Sequence, residues 1–140
     1  MSYVIDANVL MGALISGKAV YKTAFGALDL IVPDFALVEI EKYKDTIIAK
    51  SKLNDAELRR FTFDIFRQIT VLPNYFLTAI ALAEAERLIA DVDPKDISYV
   101  ALAIQTDAVL LTRDQPIYTA ARQKGFRRIL LFDDFLRAYL

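Results

Sequence analysis

Tyr3-Val4-Ile5-Asp6-Ala7-Asn8-Val9-Leu10 holds the pattern that runs through the chain: a short apolar run, an acid at its end, and a helix at once. A continuous run of this kind, stopped by a polar residue, suits a parallel strand covered on both faces. The helix after it is expected from Ala7 to about Ile15, broken by Gly17. The pattern then recurs. A helix from about Lys18 to Leu28 precedes the strand Leu30-Ile31-Val32, which Pro33 ends, and Asp34 to Ser51 reads as one long helix. Asn54-Asp55-Ala56-Glu57 has the spacing of a capping box and starts a helix to about Ile69. Thr70-Val71-Leu72 is a strand, and Tyr75 to Ala90 a helix. Asp93-Pro94 places an N-cap and a first-turn proline ahead of a helix to about Gln105. Val109-Leu110-Leu111 and Ile129-Leu130-Leu131 are strands. They enclose a helix from Gln115 to Lys124, stopped at Gly125, and a last helix follows from Asp133 to Leu140. Strands alternating with helices predict an α/β fold, a parallel sheet with helices on both faces.

The 140 residues are expected to form a single domain, 1–140, with no linker, repeat or low-complexity stretch. A chain that is 56% hydrophobic has enough apolar surface for a filled core, with some left for a dimer interface. It contains no cysteine and no histidine. Disulfides, thiol nucleophiles, Ser-His-Asp triads and histidine-ligated zinc are therefore excluded, and a reducing cytoplasm fits. The net charge of −1 does not advertise nucleic-acid binding, although a cluster of catalytic acids would itself lower the count. The N-terminus lacks the basic and apolar regions of a signal peptide. The longest uncharged stretch, Gln68 to Ala83, contains Pro73 and falls short of the ~20 residues that span a bilayer.

Four acids lie where a parallel sheet would gather them. Asp6 and Asp114 follow strands directly; Glu39 and Asp96 sit in the first turns of helices. Each has an ordinary alternative. Asp6 and Asp114 could be helix caps. Glu39 could pair with a base, yet it lies beside the apolar stripe Ala36, Ile40, Tyr43 and Ile47, while Glu41 falls on the opposite, solvated side. Asp96 could answer the helix dipole, yet Asp96, Val100 and Ala103 share a small apolar face. Asp93 is best explained as the cap alone. Ligands of such sheets collect at the carboxyl ends of the strands, where strand order reverses. Four carboxylates together there would repel one another unless a cation neutralised them, and oxygen-only ligands favour Mg²⁺ or Mn²⁺.

At these residues the chain resembles the PIN-domain nucleases, including the VapC-type toxins. Val4-Ile5-Asp6-Ala7-Asn8 resembles the first motif, Asp-x-Asn. Ile31-Val32-Pro33-Asp34-Phe35 leading to Glu39 resembles the second. Asp96 with Ala101 and Ala103 resembles the third, and Leu110-Leu111-Thr112-Arg113-Asp114 the fourth. The set is ordered and extends from residue 3 to about 131. The resemblance implies a five-stranded parallel sheet in a three-layer α/β/α sandwich. It also implies a Mg²⁺ or Mn²⁺ site of Asp6, Glu39, Asp96 and Asp114, supported by Asn8 and Thr112. A further acid often follows the fourth motif; Gln115-Pro116-Ile117 supplies none, which leaves a second metal open.

The activity so implied is hydrolysis of RNA phosphodiesters, giving 5′-phosphate and 3′-hydroxyl ends, with Asp6 or Asp96 taking the proton of water. Arg113 and Lys95 are the expected phosphate contacts. Lys18 and Lys22 could flank the groove, and Arg122, Lys124, Arg127 and Arg128 form a C-terminal basic group. Expected partners are RNA, a second copy of the chain in a homodimer, and, if the protein is a toxin, an antitoxin; no membrane is expected. A second reading keeps the fold but makes it a non-catalytic interaction module. Phosphotransfer receivers and haloacid-dehalogenase phosphatases fit less well. The first need paired acids and a late lysine, and the second need Asp-x-Asp where this chain has Asp6-Ala7-Asn8.

Overall fold

Five apolar runs form the strands of the computed structural model, which describes residues 1–139. They are β1 (Ser2–Ile5), β2 (Asp29–Pro33), β3 (Ile69–Leu72), β4 (Val109–Thr112) and β5 (Ile129–Leu131). The helices are α1 (Ala7–Ser16), α2 (Ala19–Ala27), α3 (Phe35–Lys42), α4 (Lys44–Lys50), α5 (Asp55–Phe66), α6 (Ala79–Ile89), α7 (Ile97–Thr106), α8 (Gln115–Gln123) and α9 (Phe132–Tyr139). Leu140, expected to close the last helix, lies outside the described residues.

All pairings are parallel, and the sheet order is β3-β2-β1-β4-β5. The chain builds outward from β1 through β2 to β3, then returns to the other side of β1 for β4 and β5. Strand order therefore reverses between β1 and β4, the position at which open parallel sheets bind ligands. Ile5 is in register with Leu111, so the next residue on each strand, Asp6 and Thr112, come level at that crevice.

The helices cover the sheet as the expected three-layer sandwich. Helix α7 packs on β1, β2 and β4 and is itself covered by α6. Its Val100, Ala101, Leu102 and Ala103 are fully buried, and the alanines let the helix approach the strands closely. On α1, Val9, Leu10 and Ala13 enter the same core. Among the described residues no helix is long and apolar enough to cross a membrane.

Three elements differ from their sequence expectation. The long helix over 34–51 is broken at Tyr43 (φ −103°, ψ 16°), which ends α3 and starts α4. No glycine or proline marks the break. Tertiary ties do: Ser51 Oγ donates to the Leu14 carbonyl (3.2 Å) and Lys52 N–H to that of Ile15 (3.0 Å), holding the end of α4 to α1. The helix expected from Tyr75 begins four residues later, after a 3₁₀ turn over Asn74–Phe76, because Thr78 caps α6 by accepting from Ala81 N–H. The third difference bears on the site. Asp93 caps a 3₁₀ turn, Pro94–Asp96, and not the α-helix itself, which starts at Ile97.

Candidate metal centre

Asp6 is delivered by the end of β1 and is 3% exposed, unusual for a carboxylate. Both oxygens have partners. Oδ1 accepts the Val9 N–H at 2.9 Å, which caps α1, and Oδ2 accepts the Thr112 hydroxyl at 2.5 Å. Burial raises the Asp6 pKa, and these donors oppose the rise without cancelling it. Thr112 is also buried, and its oxygen accepts the backbone N–H of Asp114 at 2.9 Å. One hydroxyl thus ties the end of β1 to the start of the loop that carries Asp114. Asp114 in turn caps α8 through Ile117 N–H (3.0 Å). Asp6 and Asp114 are therefore both helix caps, and each cap occupies only one carboxylate oxygen; the second oxygen of Asp6 is held by Thr112.

Glu39 enters from α3. Its Oε1 accepts the hydroxyl of Tyr99 at 2.6 Å, and Tyr99 is 1% exposed. Burial, followed by the Glu39 contact, holds the Tyr99 phenol far above its ordinary range, so the hydroxyl stays protonated as a donor. Tyr99 lies three residues beyond Asp96, the N-cap position of α7, so the start of this helix presents one acid and orients another. Tyr99→Phe removes that donor and keeps the ring. It is expected to weaken metal binding about tenfold, the usual scale for a group that positions a ligand, read by Mn²⁺ titration calorimetry.

Oxygens of Asp93, Asp96 and Asp114 lie within 4.8 Å of one another. Asp93 is thus more than the cap it was expected to be. It still accepts Lys95 N–H through Oδ1 (3.1 Å). Asp93 itself is extended (φ −155°, ψ 92°), and the 3₁₀ turn that follows it returns Asp96 to within reach of its carboxylate. The cap expected of Asp93 is present, and its nearness to Asp96 and Asp114 is an addition that the Asp-Pro pair, which also fits an ordinary α-helical start, did not signal.

Asp96 occupies the N-cap position of α7 without capping it. Its carboxyl is pushed up to about 7, first by burial and then by the charges of Asp6, Asp93, Glu39 and Asp114. All five acids therefore share one electrostatic neighbourhood. Among the described residues none of the five forms an ion pair with a basic side chain. That charge imbalance, with a donor set made only of oxygen, fits a hard divalent cation. Octahedral ligands at 2.0–2.1 Å stand ~3–4 Å apart, within small rotamer adjustments of the spacing seen.

The raised Asp96 pKa has a stability consequence. Below about pH 4 the carboxyl is protonated both folded and unfolded, and its neutral form is tolerated. From about pH 4 upward the unfolded chain releases this proton while the folded protein keeps it, so stability falls progressively until about pH 7, where the folded carboxyl ionises as well, and stays lower above that. The metal-free protein is expected to melt lower at pH 8 than at pH 5. Asp96→Asn should flatten that fall and Mn²⁺ should reverse it, both measured by thermal scanning.

Asn8, Gly12, Glu39, Asp93, Lys95 and Asp96 line a groove of about 430 Å³. Lys95 and Asn8 are exposed there. Arg113 does not line it. Its guanidinium packs over the Phe132 ring (5.2 Å) and donates to the Tyr21 hydroxyl (3.0 Å) and to Asp133 (3.1 Å). A Cβ at residue 12 would overlap its Nη1, so Gly12 makes room for it on α1. Lys22 is drawn to Asp64 of α5. Lys124 pairs with Asp91 and Arg128 with Asp107, while Arg122 donates to the Arg127 and Ile129 carbonyls. These last residues precede β5 and so occupy the edge of the sheet opposite the acids.

Residues 4–131 match the sequence profile of the family described as PIN domain. The chain belongs to the PIN-domain family. The match spans the motifs of all four expected acids, and PIN domains are generally nucleases that use a divalent metal. The five-stranded parallel sheet flanked by helices is the PIN fold. No match was found among curated proteins. The crystal structure of PAE2754 from Pyrobaculum aerophilum is similar, with a TM-score of 0.66, 16% identity, and coverage of 99% of this chain and 88% of that one. At that identity the likeness is one of fold.

Proposed function

We propose that this PIN domain is a metal-dependent RNA endonuclease. The observation that carries the reading is the convergence of Asp93, Asp96 and Asp114 at the strand-order reversal, with Asp6 and Glu39 beside them and, among the described residues, no ion pair to a basic side chain. Asp93, Asp96 and Asp114 would hold the ion. Bound there, a divalent cation would lower the pKa of a water and offset charge on the phosphodiester.

The chain's own groups supply the rest. Thr112 fixes Asp6 and the Asp114 backbone together. Tyr99 fixes Glu39 by one oxygen and leaves the other free. Asp6, with both oxygens already bonded, is a poor proton acceptor. Asp96 accepts no hydrogen bond among the described residues, and burial with the neighbouring acids raises its proton affinity in the metal-free protein, so it is the better candidate base. Lys95, in the groove wall, would meet a non-bridging phosphate oxygen, a role that its exposed position there supports. Water oxygen would attack phosphorus, the P–O3′ bond would break, and the departing 3′-oxygen would take a proton, leaving 5′-phosphate and 3′-hydroxyl ends.

A toxin role belongs to the same proposal. A homodimer in the cytoplasm, held inactive by an antitoxin that covers the acids with a basic residue, accounts for a nuclease that is safe in the cell. Copurification with the product of an adjacent gene tests that part. The activity itself is tested by RNA cleavage with Mn²⁺ against EDTA, alongside calorimetry. Cleavage that requires Mn²⁺ supports the reading. No Mn²⁺ binding at millimolar concentration favours the non-catalytic interaction module.

A further inference from the structure

The acids occupy only one end of their groove. On α1, Asn8, Met11, Gly12 and Ile15 fall at i, i+3, i+4 and i+7 and form one wall, about 10 Å long. On the other side Tyr43 follows Glu39 by one turn, with Tyr43 N–H bonded to the Glu39 carbonyl at 3.1 Å. Thr46 and Ile47 of α4 continue that wall. Away from the acids the lining is thus Met11, Ile15, Tyr43 and Ile47, which is apolar and aromatic where a purely ionic site would be polar.

Tyr43 has no evident duty in the fold. It is 38% exposed, and its hydroxyl has no partner among the described residues. It stands at the break between α3 and α4 and lines the groove outside the core. Lys42 Nζ lies 5.3 Å from the ring centroid. A cation over one face of a ring leaves the other face for a flat partner and brings positive charge to the place where a phosphate chain would pass.

We propose that Tyr43, with Met11 and Ile15 across the groove, forms a stacking subsite for one unpaired nucleobase beside the scissile phosphate. The inference rests on the ribonuclease reading and adds a residue-level requirement to it: the base must be splayed out, so a single strand is accepted and a duplex is not. The groove volume is of the size that holds a small ligand, and Thr46 offers a hydroxyl to a base edge.

The test separates binding from cleavage by using the Asp96→Asn protein throughout. Fluorescence anisotropy with a labelled single-stranded RNA oligonucleotide is read with Tyr43 intact, with Tyr43→Phe and with Tyr43→Ala. The alanine variant is expected to bind about tenfold or more weakly, the usual scale for losing a stacking platform. Phenylalanine keeps the ring and should bind within about twofold. A duplex of the same sequence should not distinguish the three. Far-UV circular dichroism confirms that each is folded. Equal single-strand binding by Tyr43→Ala and the parent would overturn the subsite alone, because Mn²⁺-dependent cleavage by the wild-type chain would still stand. No RNA binding by any of them would overturn the subsite, and the ribonuclease reading falls with it only if the wild-type chain also shows no Mn²⁺-dependent cleavage.

Discussion

Asp96→Asn is expected to lower Mn²⁺-dependent RNA cleavage by on the order of a hundredfold or more while the protein stays folded. The substitution is nearly isosteric, so α7 keeps its packing against β1, β2 and β4. What it removes is the carboxylate most affected by the other four. That group is held up to about 7 by burial and by their charges, so at neutral pH its ionised form is the least comfortable in the metal-free protein. An amide at this position relieves the repulsion and should raise the melting temperature of the metal-free protein at pH 8. A destabilising mutation would lose activity through unfolding; here activity and metal-free stability should move in opposite directions. Calorimetry should show Mn²⁺ bound more weakly. Wild-type cleavage by the variant would remove Asp96 from the mechanism.

The same five acids show what the sequence could and could not reveal. Asp6 and Asp114 were legible because a short apolar run, an acid and a helix start follow in order, and the parallel sheet brings such ends to one edge. Glu39 was legible from helical periodicity, since it lies beside the stripe containing Ala36 and Ile40. The nearness of Asp93 to Asp96 and Asp114 was not, because it depends on a 3₁₀ turn where the Asp-Pro signal reads equally well as the start of an α-helix. The break at Tyr43 was hidden for a related reason. No local residue marks it, and it follows from ties between the end of α4 and α1 that only the folded chain brings together. Arg113 illustrates the limit of adjacency. It stands between Thr112 and Asp114, two residues of the site, yet its side chain is fixed by Tyr21, Phe132 and Asp133, all distant in sequence.

Thr112→Val should weaken both the site and the fold. The two side chains have almost the same shape, so packing at this buried position is kept and only the hydroxyl is lost. That hydroxyl has two obligations. It donates to Asp6 Oδ2 and accepts from the Asp114 N–H, which joins the carboxylate at the end of β1 to the loop after β4. Valine removes one donor from the buried Asp6 carboxylate and the acceptor of the Asp114 N–H, a cost of about 1–3 kcal/mol in unfolding free energy. Burial already raises the Asp6 pKa, and losing a donor that opposes the rise should raise it further, so the variant should suffer most where Asp6 must be ionised. Cleavage is expected to fall by about 10–100-fold, the scale for loss of a group that orients metal ligands. Thr112→Ser restores the hydroxyl without the methyl and should recover most of the activity but less of the stability. If valine and serine lost activity equally, the methyl and not the hydrogen-bonded bridge would be what Thr112 contributes.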